Sequence, residues 1–269
     1  MTIIGYICFL IIGLILGLIG GGGSILGVPV LVYIMSCNAE EATAYSLFIV
    51  GLTSLIGAIA YLKKGEISAE ALIQFAIASL ATVFCMRRFV IPAIPTEFNL
   101  LGIHTSKHTL IMLTFSLLIV ASAMSMIRKR KQNRVTQAKW DEFAKTPFGL
   151  PFVILLGICV GVITGFVGAG GGFIIVPVLI FFVRLNFKKA IGTSLCIIAL
   201  NSLIGFTGNL GTLPVDWTFL LSISTFAIAG ILIGSQLAGK IPAQKLKPAF
   251  GWFTLMVGVF VLLKETIFV

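Results

Sequence analysis

The sequence predicts an all-α polytopic membrane protein of two inverted repeats, each a glycine-broken re-entrant helical hairpin followed by three transmembrane helices. Three observations predict it. Of the 269 residues, 58% are hydrophobic and 10% charged, with a mean hydropathy of +1.13; this is far from a soluble globular composition. A glycine-rich break occurs twice inside apolar segments, 148 residues apart. The lysines and arginines, finally, collect on one side of the membrane in only one threading of the chain.

The first segment, residues 3–19, lacks the basic start and small-residue cleavage site of a signal peptide, so it reads as a retained membrane segment. It runs into Gly17-Leu-Ile-Gly20-Gly21-Gly22-Gly23-Ser24 and then Val28-Pro29-Val30-Leu31. The second copy is Gly165-Phe-Val-Gly168-Ala169-Gly170-Gly171-Gly172, then Val176-Pro177-Val178-Leu179. Positions 17–31 and 165–179 share eight identities in fifteen without a gap. The likeness continues through Ala42 and Ala190, Ser46 and Ser194, and the runs Ser54–Gly57 and Ser202–Gly205. The chain therefore divides into a first membrane repeat at 1–127, a basic linker at 128–147 and a second repeat at 148–269. Each repeat holds one broken segment (3–36 and 150–184) and three plain spans, at 43–62, 69–93 and 109–127, and at 190–209, 217–239 and 248–265.

Loop charge decides between parallel and inverted repeats. If each broken segment crosses the membrane once, Lys and Arg divide ten inside to nine outside. If each is a hairpin returning to its own side, the division is fifteen to four, with only Arg87, Arg88, Lys107 and Lys264 outside. The second fits the positive-inside pattern. It makes the repeats inverted, the linker cytoplasmic and both termini external. The arms flanking Gly20–Gly23, of about 16 and 13 residues, are short for full spans of about 20. Non-helical backbone at that depth needs cover from protein or water, so the two glycine turns are expected to meet inside the molecule.

Paired interruptions in corresponding positions of two halves point to a transporter's binding site. Glycine there has two readings. It lets helices pack closely, or it bares N–H groups at the start of the returning arm, where the helix dipole attracts anions without a basic side chain. The candidate anion-binding residues of the turns are Gly20, Gly21, Gly22, Gly23 and Ser24, with Gly168, Gly170, Gly171 and Gly172. Ser46 and Thr53, and their counterparts Ser194 and Asn201, lie seven apart, two turns on one helical face. They can replace part of an oxyanion's hydration shell or simply bond helix to helix. Thr193, Thr207 and Asn209 have no match in type across the halves.

Several classes are disfavoured. The net charge of +10 reads as membrane topology, and Arg128-Lys129-Arg130-Lys131 has no interleaved aromatics, so nucleic acid is not an expected partner. All nine acidic residues fall in loops or at segment ends by this reading, which leaves no mid-membrane carboxylate to relay protons or bind a cation, and no acid–base pair for an enzyme. The five cysteines form no CxxC and no metal spacing; neither metal nor cofactor is expected. Arg87 and Arg88, inside an apolar stretch that continues to Ile94, either snorkel to the interface or form an electropositive mouth for an anion path. His104 and His108 read as part of a solvated loop, and Trp140 as part of an interfacial linker helix.

The twin Gly-x-x-Gly-x-Gly-Gly with its following Val-Pro-x-Leu, the downstream Ala-x-x-x-Ser-Leu (Ala42 to Leu47 and Ala190 to Leu195) and the basic linker resemble the TauE/SafE family of sulfite exporters and related permeases. The resemblance covers essentially the whole chain. It implies a prokaryotic inner-membrane permease moving sulfite, sulfoacetate or other organosulfonates outward. An anion leaving an inside-negative cell needs no coupling ion, since the potential supplies about 2.3 kcal/mol per charge per 100 mV. Ser24 stands where the second copy has Gly172. The expected partners are a small anion and the lipid bilayer, and a homodimer remains open. Alternatives are import of thiosulfate-like or other anions, with Cys37 or Cys196 handling the sulfur, and a non-transporting membrane subunit.

Overall fold

A computed structural model of the chain describes residues 2–19, 21–95, 97–100, 103–127, 149–183, 185, 187–211, 213–237 and 243–267. Gly20, the linker 128–147 and Trp140 lie outside the described residues. Ten helices are described: α1 (Thr2–Ile19), α2 (Gly23–Ile34), α3 (Ala39–Lys63), α4 (Ala69–Ala93), α5 (Lys107–Ile127), α6 (Gly149–Val167), α7 (Gly172–Phe181), α8 (Phe187–Asn209), α9 (Trp217–Leu237) and α10 (Ala243–Ile267). Five of them, α3, α4, α5, α8 and α9, are long and apolar enough to cross a membrane.

Local chemistry sets the boundaries. Asn38 caps α3 by accepting from the Glu41 N–H at 2.9 Å, with Glu40 and Glu41 in the first turn, where carboxylates suit the helix dipole. Beyond Lys63 the chain turns through Gly65 at φ +66°, a left-handed position that favours glycine. The helix α4 ends at Ala93, with Pro95 just beyond it. The connection that follows departs from the all-α expectation: Glu97–Leu100 and Ile103–Ser106 form an antiparallel two-stranded hairpin (β1 and β2), with Glu97 opposite Ser106. Backbone groups outside the bilayer must also find partners, and β-branched Ile103 and Thr105 suit a strand. His104 is thus in a strand, and His108 is no free loop residue, because its Nδ1 accepts from the Ala39 N–H at 3.3 Å.

Contacts fix the helix directions. A Cβ on Gly23 would meet Ile12 and Leu16, and one on Gly5 would meet Met35, so α1 and α2 are antiparallel arms of a hairpin. In the same way Gly171 lies against Thr164, and the Phe152 and Phe182 rings are 6.0 Å apart; α6 and α7 form a second hairpin. Along α3 and α8, Leu47 meets Gly205, Gly51 meets Leu203, Gly57 meets Leu195 and Tyr61 meets Gly192, an antiparallel pairing. Gly13 and Gly17 of α1 touch Ala227 and Ile231 of α9, while Gly157, Gly161 and Gly165 of α6 touch Phe75, Ser79 and Val83 of α4; both these pairs are parallel. Each is a small-xxx-small seam, where missing side chains let backbones approach. Exchanging the halves of the chain maps every one of these pairings onto another or onto itself.

The hydrophobic window of α8 is 72% buried and that of α3 61%, against 28% for α4. The antiparallel α3–α8 pair is therefore the centre, and α1, α4, α5, α6, α9 and α10 show apolar side chains outward, among them Ile7, Ile77, Leu117, Leu155, Leu221 and Phe253. One end of the bundle is tied by Lys107 Nζ to Glu40 at 2.9 Å, by Tyr33 O–H donating to Glu265 at 2.8 Å, and by Tyr45 O–H, which accepts from the Asp216 N–H at 3.0 Å. At the opposite end the Ser68 N–H donates to Thr193 Oγ1 at 2.9 Å.

Candidate functional site

The two glycine turns meet at the centre. The stretch Gly21–Leu26, a 3-10 helix that forms the first turn of α2, packs against α7, which begins at the second turn. Their backbones differ. Gly21–Leu26 is a 3-10 helix in which Gly23 has no positive φ, whereas Gly168, Gly170 and Gly171 stand at +72°, +69° and +68°. Gly171 is the left-handed residue before α7, whose first residue is Gly172.

Gly23 and its counterpart Gly171 also differ in their neighbours. A Cβ on Gly23 would sit 2.8 Å from Ile12 O and Leu16 N, so this glycine holds the arms of its own hairpin together. Ser24 beside it is fully buried. In the second turn, a Cβ on Gly168 would strike Arg87 Nη2 and Thr43. On Gly170 it would lie 2.8 Å from Ser202 Oγ, and on Gly171 it would strike Thr164 Oγ1. The second turn is thus lined by polar atoms of α3, α4, α6 and α8.

Of the predicted side chains, Ser46, Thr53, Ser194 and Asn201 are all buried, but they do not form two equivalent pairs. Thr53 O–H donates to Ile49 O at 2.5 Å and Ser194 O–H to Ile191 O at 2.8 Å, bonds to their own helices. Ser46 Oγ has no partner and faces Gly27. Asn201 Oδ1 accepts from Ser79 O–H at 3.0 Å, while its Nδ2 is left over. The aligned Ser54 and Ser202 each bury an unpartnered hydroxyl, as does Thr164. Buried polar groups are normally paired, so this set calls for an explanation. Of the weaker candidates, Thr193 joins the Ser68 connection, and Thr207 O–H donates to Ile204 O at 2.7 Å.

Arg87 and Arg88 separate. Arg88 is exposed, its Nη1 donating to Leu210 O at 3.3 Å. Arg87 does not snorkel: it is 1% exposed, in the π-helical turn Met86–Val90 of α4. Two glycines admit it, since a Cβ on Gly208 would lie 2.9 Å from Arg87 Cβ and one on Gly168 would run into the guanidinium. Its Nη1 donates to Thr43 Oγ1 at 3.0 Å, and Thr43 O–H donates onward to Glu40 O at 2.9 Å.

Thr43, Ser79 and Thr164 escape a sequence reading built on the repeat, because the aligned positions in the other half are Ile191, Ala227 and Leu16. The one available signal was a charge in an apolar run, at Arg87. The acidic residues among those described keep to loops and helix ends. Glu265, buried at the end of α10, is engaged by Tyr33, and His108 Nε2 lies 3.8 Å away. Cys37, between α2 and α3, is half-buried; burial, aided by Glu41, pushes its thiol up to about 11. Cys196 packs among Leu16, Ile191 and Leu195 in the centre of α8.

A helical bundle with several membrane-crossing spans, broken helices at its centre and buried polar groups around the breaks defines a polytopic membrane transporter. The chain belongs to the family described as sulfite exporter TauE/SafE, whose model matches residues 5–261. It is similar to a "Probable membrane transporter protein" of Xylella fastidiosa, 29% identical over 94% of this chain and 91% of the relative. It is also similar to the "Probable membrane transporter protein YunE" of Bacillus subtilis, 23% identical over 90% and 91%. A third relative of the same description, from Methanocaldococcus jannaschii, is 24% identical over 94% of both chains. No solved structure matches the chain.

Proposed function

We propose that the protein is a prokaryotic inner-membrane permease that exports small sulfur-containing anions, sulfite, sulfoacetate or related organosulfonates, with the anion held between the two glycine-rich turns. The observation that carries this reading is a set of buried polar atoms without partners: besides Thr254 on α10, the Ser46, Ser54, Thr164 and Ser202 hydroxyls, Asn201 Nδ2 and Arg87 Nε and Nη2, of which Arg87, Thr164 and Ser202 adjoin the second turn. Each can donate a hydrogen bond, and a carboxylate is absent from the set. Donors fixed in place before the ligand arrives need no reorganisation to receive an oxyanion. The backbone N–H groups at the starts of α2 and α7, within Gly20–Ser24 and Gly168–Gly172, would add to them. Thr53 and Ser194 would line the path while bonded to their own helices. The family's description as sulfite exporter supports the substrate class.

In this reading residues 1–127 and 148–269 are inverted repeats with re-entrant hairpins, joined by a cytoplasmic linker at 128–147. The antiparallel α3–α8 pairing and the antiparallel arms α1–α2 and α6–α7 support it, as does the fifteen-to-four division of Lys and Arg. Broken helices meeting at the centre, with the halves rocking about them, are a recurrent transporter design. Membrane potential and the substrate gradient would drive export. The reading is tested by loading proteoliposomes with sulfite, sulfoacetate, thiosulfate, sulfate or chloride and following efflux. Saturable efflux of sulfite or a sulfonate, absent from protein-free vesicles, is expected. A folded, reconstituted protein that moves none of these anions would refute it.

A further inference from the structure

Arg87 does not fit a binding site shared equally by two like turns. A guanidinium carries five N–H donors and stays charged in proteins, yet here only Nη1 has a partner, the neutral hydroxyl of Thr43. Nε and Nη2 are buried with none, and no ion pair to Arg87 occurs among the described residues. Glu40, one turn before Thr43, is engaged by Lys107 at 2.9 Å. A charge so enclosed is strongly destabilising unless something of opposite sign completes it. The free edge of the guanidinium reaches Gly168, at the head of a turn whose three left-handed glycines leave no side chain to close the space.

We infer that Arg87 is the fixed positive charge of the substrate site, so that the anion is bound off-centre, against the second turn, with two of its oxygens facing Nε and Nη2 of Arg87. This rests on the permease reading and sharpens it. A planar fork of donors matches a pair of oxygens on one sulfur or carbon, which a point charge or a monatomic anion cannot reproduce. Gly170 and Ser202, whose hydroxyl adjoins it, belong to the same turn region as Gly168 and would receive a third oxygen. The ligand class is therefore an oxyanion with a sulfite- or sulfonate-like head, and halides should be poor substrates. The level matching Arg87 in the first hairpin is Ser235: Gly17 touches Ile231 and Ser235 as Gly165 touches Val83 and Met86. Among the described residues, the first turn thus has no cation at that level.

The test compares the wild type with Arg87→Gln and Arg87→Lys in proteoliposomes, measuring KM and maximal rate for sulfite and the ratio of sulfite to chloride flux. Arg87→Gln should raise the sulfite KM by about 30-fold or more, as loss of one partner of a buried charge pair does, and should abolish the preference over chloride. Arg87→Lys keeps the charge without the fork; it should recover rate while leaving the preference reduced, which separates recognition from mere support of the fold. Should Arg87→Gln fail to fold, Arg87→Lys decides: an unchanged KM and an unchanged preference would overturn the inference. Wild-type flux that Arg87→Gln leaves intact would overturn this inference alone. A wild type that moves no anion would overturn the permease reading beneath it.

Discussion

The turn at Gly21–Leu26 is a tight 3-10 helix pressed against its own hairpin arm, whereas the turn at Gly168–Gly172 carries three left-handed glycines and opens onto Arg87, Thr43, Thr164 and Ser202. The same residue type serves two ends. In the first turn a missing side chain brings backbone to backbone, as Gly23 does with Ile12 and Leu16. In the second it permits a conformation that other residues rarely adopt and leaves polar groups uncovered. A repeated sequence can thus give two aligned glycines, Gly23 and Gly171, different neighbours, backbone in one copy and the Thr164 side chain in the other.

The sharpest way to break this contrast is substitution at aligned positions. Gly170→Ala places a side chain at φ +69° and 2.8 Å from Ser202 Oγ and Val50. The left-handed conformation alone costs about 1–2 kcal/mol, and displacement of the site should lower sulfite flux by about 100-fold. Gly22→Ala, at the aligned position within the 3-10 helix, should reduce flux far less; equal losses in efflux assays would erase the distinction. Next in size, Gly23→Ala should destabilise the protein by about 1–3 kcal/mol, as overpacking does, because the obstructing atoms are backbone. Thermal unfolding in detergent, read against Gly22→Ala, measures it.

A smaller effect separates the aligned polar pair. Asn201→Leu removes the acceptor for Ser79 and should cost about 1–2 kcal/mol in unfolding experiments, together with a raised KM for sulfite. Thr53→Val removes a hydroxyl bonded only within its own helix and should stay within about 0.5 kcal/mol of the wild type. The smallest effect belongs to Cys37→Ser. Its thiol is pushed up to about 11, so the reactive thiolate is scarce at neutral pH and grows only as pH rises toward that value. Cys37→Ser should leave flux unchanged between about pH 6 and 8; a large loss would revive thiol-assisted handling of a sulfur substrate.

Helix positions were legible in the sequence because apolar runs of spanning length are a strong signal and because the repeat doubled it. The spans read at 69–93 and 190–209 lie within a few residues of α4 and α8. Loop charge favoured hairpins for the two broken segments, and the arms α1–α2 and α6–α7 are antiparallel. Around the site, the repeat singles out Ser46, Thr53, Ser194 and Asn201; the Thr53 and Ser194 hydroxyls turn back to their own carbonyls while Ser46 Oγ and Asn201 Nδ2 have no partner, and such a rotamer choice leaves no trace in sequence. Alignment also passed over Thr43 and Thr164, whose counterparts are apolar, since it can only find what both halves keep. Arg87 was visible as a charge in an apolar run, but its burial depends on the spaces left by Gly168 and Gly208, which come from distant parts of the chain. The hairpin Glu97–Ser106 was missed for want of any apolar periodicity.

The most direct test of the account is the current carried by purified wild-type protein in a planar bilayer or in voltage-clamped proteoliposomes with a sulfite gradient. A saturable current that reverses at the sulfite equilibrium potential, and is suppressed in Gly170→Ala but not in Gly22→Ala, is the predicted result. Sulfite movement without current, or a current equally sensitive to both substitutions, would contradict an electrogenic anion permease centred on the second turn.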